Sequence, residues 1–128
     1  MSSQSPEPVK VTTFTLQGRV VGYTLGAALM ALLSRRAFIA PGSIIYETLI
    51  KTPEAAQTAY KIQDWAFLVV VGAHALEALL FAATKLRKHG VPFLSLLWWK
   101  WVLGCFVGGG AAWMHFAQTV AAAEGKRT

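Results

Sequence analysis

The chain has 128 residues, of which 55% are hydrophobic and only 14% charged, and its mean hydropathy is +0.46. A soluble domain carries about 25% charged residues, so the deficit points to lipid exposure rather than to a large aqueous core. The net charge of +6 comes from Lys and Arg bunched at the ends of apolar runs. That placement anchors helices among lipid headgroups and does not suit a nucleic-acid binder, which needs one basic face or an aromatic-basic platform.

Residues 1–14 read as a disordered polar tail rich in Ser and Pro, without the charged-then-apolar pattern of a cleaved signal peptide. Residues 15–124 form one three-helix membrane domain, and 125–128 a basic tail. The first span covers about 18–34, stops at Arg35-Arg36 and asks Arg19 to snorkel. Gly18, Gly22 and Gly26 fall on one helical stripe. Small residues four apart let helices approach closely in lipid, so Gly22 and Gly26 are assigned to helix packing.

Between spans one and two, Pro41-Gly42 breaks the chain. Ile44, Ile45, Tyr46, Glu47, Leu49, Ile50 and Lys51 form a short amphipathic, interfacial helix. Thr52-Pro53-Glu54 starts another helix, because Pro suits its first turn and Glu its positive end. This helix runs into the second span, about 65–84, bounded by Trp65 and by Lys85, Arg87 and Lys88. Gly90 then ends the helix and Pro92 begins the next, which makes spans two and three an antiparallel hairpin.

The third helix runs from Pro92 to about Glu124, with its hydrocarbon part at 101–121. Trp98, Trp99 and Trp101 around Lys100 read as an interfacial belt with a snorkelling cation. Gly104, Gly108, Gly109 and Gly110 weaken a helix in water but offer a flat groove in lipid; Gly104 and Gly108 are assigned to packing. A hinge at Gly108-Gly109-Gly110 is the alternative. With three spans, the tail and the 85–88 turn share one side, and Arg35, Arg36, Lys61, Lys126 and Arg127 the other. The charges balance, so the positive-inside rule sets no orientation.

Chemistry concentrates at His74 and Glu77, near the centre of span two. An ionisable group there costs at least ~2.5–3.5 kcal/mol and needs a partner. Three apart, the two share a helix face and can touch. They form a buried polar latch that fixes helix register, or else a proton relay or a contact to a lipid or sterol headgroup. One His-x-x-Glu supplies only two metal ligands, whereas a diiron bundle needs the motif twice with further carboxylates. His74 and His115 on adjacent antiparallel helices are offset along their axes, which disfavours haem. No metal or other cofactor is expected. Cys105 is the only cysteine, so there is no disulfide framework. Nucleophile elbows, phosphate loops and paired catalytic carboxylates are missing, so autonomous catalysis is not expected.

The stretch Gly72-Ala73-His74-Ala75-Leu76-Glu77-Ala78, with the basic turn Lys85 to Gly90 and the Trp-rich third helix, resembles the transmembrane protein 254 family, small three-span proteins with a domain of unknown function. The His-x-x-Glu before a basic turn is also similar to the ergosterol biosynthesis protein 28 family. Its members are endoplasmic-reticulum proteins with about four spans that gather sterol-modifying enzymes. The resemblance implies an accessory or scaffold subunit in the endoplasmic reticulum, with a mitochondrial membrane as second location. Its partners are the bilayer and either a larger membrane protein or a second copy. A lipid- or sterol-handling protein that uses His74 and Glu77 in a headgroup cavity is the rival reading.

Overall fold

The computed structural model describes residues 5–16 and 18–126, and their regular structure is entirely helical. Helix α1, Val20–Ser34, follows Gly18, whose φ of +76° lets the chain turn into it. At its far end the Gln63 side-chain amide donates to the carbonyls of Leu32 and Arg35, at 2.8 and 3.0 Å. These are among the carbonyls that a helix terminus leaves unpaired. Arg36 then donates to the Tyr60 carbonyl, to Gln63 Oε1 and to Asp64 Oδ1 while lying 4.6 Å from the Tyr60 ring centre. One polar clasp therefore holds the α1–α2 end of the bundle. Beside it, residues 44–50 form the short helical segment expected from their amphipathic pattern, with Ser43 Oγ accepting from the Tyr46 amide.

Helix α2, Pro53–Phe81, starts where the sequence signals it: Thr52 Oγ1 accepts from the Ala55 amide at 3.2 Å, and Pro53 takes the first turn. It continues through a π-helical turn at Ala82–Leu86. Pro53–Leu86 is the one helix among the described residues that is long and apolar enough to cross a membrane. Its 34 residues extend roughly 50 Å at 1.5 Å each.

The next helix begins later than Pro92. Leu94 sits at φ +63°, and α3, Leu96–Gly108, starts where Ser95 Oγ accepts from the Trp98 amide. A hydroxyl cap, rather than the proline, sets this boundary.

The expected third span, 101–121, is not one helix. It breaks at Gly109, with φ +54° and ψ −121°, and helix α4 follows over Gly110–Gly125. In a straight helix His115 would lie roughly 20 Å further along the axis than Trp101. Their ring centroids are 4.7 Å apart, and Phe116 packs edge-on to Trp101 at 4.9 Å. Nearer the break, a Cβ on Gly108 would touch the Ala111 side chain. The chain therefore doubles back, and α3–α4 is a hairpin whose tip is the glycine cluster. Gly104 and Gly108 lie against neighbouring side chains, and Gly109 makes the reversal.

The core sits where this hairpin meets α2. Trp101, Phe81, Phe116, Leu86 and Cys105 are fully buried. Trp101 is thus a core residue and not an interfacial anchor, because the reversal of α4 covers it. Trp99 and Lys100 stay exposed, and Trp98 is partly covered. The first four residues lie outside the described ones, but the amino-terminal segment from Val9 onward is not a free tail. Val9 and Val11 are buried. His89 Nδ1 donates to the Val9 carbonyl at 2.7 Å, and the Val11 amide donates to the His89 carbonyl at 3.0 Å. Trp101 Nε1 donates to the Thr13 carbonyl at 3.2 Å, and Phe14 stands edge-on to the indole. The reversal also corrects the charge map: Lys126 lines one cavity with Lys10, at the end of the bundle that holds the 85–88 turn. Arg127 lies outside the described residues.

Candidate functional site at the helix break

A helix break inside a packed bundle strands backbone groups on both sides: the last carbonyls of α3 and the first amides of α4. His74, partly buried on α2, answers the first need. Its Nδ1 lies 2.8 Å from the Phe106 carbonyl. A carbonyl only accepts, so Nδ1 carries the proton, and in the neutral ring Nε2 is left as an acceptor.

Nε2 points at the break. A Cβ built on Gly109 would stand 2.9 Å from it and 3.1 Å from Glu77 Oε2. His74 and Glu77 therefore converge on Gly109 from one face of α2, as their three-residue spacing requires. Glu77 Oε2 is buried and has no hydrogen-bond partner among the described residues. It faces the start of α4, the positive end of that helix dipole, where a carboxylate is favoured. The pair contacts the break rather than sealing itself: the histidine holds the end of one helix and the carboxylate faces the start of the next.

The packing glycines are used around the same break. A Cβ on Gly26 would collide with the Val107 carbonyl, another α3 group released by the break. One on Gly22 would come 3.0 Å from the Ala111 side chain, and one on Gly108 2.8 Å from the Tyr23 ring. Gly104 faces Tyr23 and Phe14. All four glycines thus bring α1 and the amino-terminal segment onto the hairpin within one chain.

A second polar contact escaped the sequence reading. Tyr23 Oη and His115 Nδ1 are 2.9 Å apart. His74 and His115 engage different neighbours through Nδ1, the Phe106 carbonyl and the Tyr23 hydroxyl. No group of three or more metal-ligating side chains occurs among the described residues. Neither His74 nor Glu77 lines the cavity between the amino-terminal segment and α4.

These features define a helical protein with one candidate membrane span and a buried polar contact at a helix break. Compared with known proteins, the chain matches no family model, no curated protein and no solved structure.

Proposed function

We propose that this chain is a small integral membrane protein of the endoplasmic reticulum, without chemistry of its own, that serves as an accessory or scaffold subunit of a larger membrane enzyme or complex. The observation that carries the reading is the surface of α2. Only 11% of its most apolar stretch is buried within the chain. Trp65, Leu68, Val69, Leu76, Leu79 and Leu80 stand more than half exposed. A face of that size needs lipid or protein over it.

On this reading α1 and α2 cross the bilayer. The α3–α4 hairpin enters and leaves on one side, with its tip at His74 and Glu77. Irregular backbone at membrane depth is tolerated only where protein covers it, and Gly109 is buried. The glycines are occupied inside the chain, so the partner-facing surface is the bulky outer face of α2 rather than a small-residue groove. The resemblance to scaffold proteins that gather membrane enzymes supports the same role.

The test is affinity purification of the tagged chain in mild detergent, with mass spectrometry of proteins and lipids in the eluate. A stoichiometric membrane partner, lost when Val69 and Leu76 are changed to Ser, is the expected result. A chain that emerges alone overturns the proposal.

A further inference from the structure

The amino-terminal segment, the start of α1 and the end of α4 line an open cavity of about 440 Å³ whose walls are mixed polar and apolar. That volume is in the range of small-molecule sites. Lys10, Arg19 and Lys126 reach it from three separate parts of the chain, and no carboxylate is among the described residues that line it. The ion pair of Arg36 with Asp64 belongs to the clasp between α1 and α2, outside this cavity. Uncharged donors complete the lining: the Gln118 amide and the hydroxyls of Thr12 and Thr15. Lys10 and Lys126 are exposed and Arg19 is half-buried, so an anion held in the cavity would gain attraction from all three.

We propose that this cavity binds a phosphate-bearing anion, with Arg19, Lys10 and Lys126 supplying charge and Gln118, Thr12 and Thr15 supplying hydrogen bonds. Arg19 presents a planar fork of donors that fits two phosphoryl oxygens at once, while the lysines act as point charges. Hydroxyl and amide donors favour the tetrahedral oxygens of a phosphate over a halide. The phosphate has two possible sources, the headgroup of an anionic phospholipid or a water-soluble phosphate. The first suits a cavity at a bundle end beside the basic turn, where anionic headgroups collect around a membrane protein. The site is separate from His74 and Glu77 and stands whether or not the chain is an accessory subunit.

The experiment measures thermal unfolding of the purified full-length chain in neutral detergent, followed by tryptophan fluorescence. The probes are short-chain phosphatidic acid, phosphatidylcholine of the same chain length, and inorganic phosphate. A rise in midpoint with phosphatidic acid alone supports a headgroup site. A rise with inorganic phosphate as well supports the same site with a soluble ligand. Equal effects of phosphatidic acid and phosphatidylcholine, or no effect of any probe, overturn the proposal. In the Arg19→Gln/Lys126→Gln double variant the apparent affinity should fall at least tenfold. Lys100→Gln, a cation elsewhere on the surface, should leave it unchanged. Should the double variant fail to fold, Lys126→Gln and Gln118→Ala decide, since both side chains are exposed. Unchanged affinity in these variants overturns the assignment.

Discussion

Helix α2 and the α3–α4 hairpin are built from similar material: long apolar stretches, each with glycine inside. Yet α2 runs unbroken past Gly72, while the other stretch turns back at Gly109. A Cβ on Gly72 would meet nothing within 4 Å, whereas one on Gly109 would meet His74 and Glu77. Glycine content alone therefore does not break a helix in this bundle. At this break His74 takes up the Phe106 carbonyl, Gly26 leaves room for the Val107 carbonyl, and the Glu77 carboxylate faces the start of α4.

Gly109→Val attacks this difference most directly. Its φ and ψ belong to a region that L residues avoid, at about 1–3 kcal/mol, and the new side chain meets both His74 and Glu77. A loss of more than about 3 kcal/mol is expected, as a fall in the thermal midpoint in detergent. Spin labels at the exposed positions 99 and 118 check the geometry. Because Trp101 packs on His115 and Phe116, the labels lie at a similar level on the two arms of the hairpin, whereas one straight helix would hold them roughly 28 Å apart. A long distance in the unmodified chain would break the comparison.

Gly26→Ala comes next. The obstructing atom is a backbone carbonyl that cannot swing aside, so overpacking by about 2–3 kcal/mol is expected in the same unfolding assay. His74→Leu keeps the bulk but leaves the Phe106 carbonyl unpaired, a loss of about 1–2 kcal/mol; no change would mean that the break does not need its histidine. Gly72→Ala should have the smallest effect and the opposite sign. With open space at that position, the better helix former should stabilise by up to about 1 kcal/mol.

Much of α2 was legible because its signals are local. Thr52-Pro53-Glu54 marks its start, and the basic turn at 85–88 its end. His74 was legible as the origin of a polar contact because an ionisable group in an apolar run calls for a partner. That partner is the Phe106 carbonyl and not Glu77, whose Oε2 has none among the described residues. The hairpin was not legible, because four neighbouring glycines permit a groove and a reversal equally. The choice depends on groups from another helix. Trp101 was misread with its neighbours as a belt, although Cys105, one helical turn on, is equally buried and marks an inner face. Val9, Val11 and Thr13 alternate as an extended segment does, a signal submerged by the polar residues around them. The Tyr23–His115 contact joins residues 92 positions apart and left no trace in local pattern.

The reversal at Gly109 also decides how a fluorescent reporter should be attached. Lys10 and Lys126 line one cavity, so the two ends of the described chain are neighbours. With α1 and α2 as the two crossings, as proposed, complementary halves of a split fluorescent protein fused to the two ends would meet in one compartment and light up within a single molecule. A chain with three crossings would hold those halves on opposite faces and stay dark.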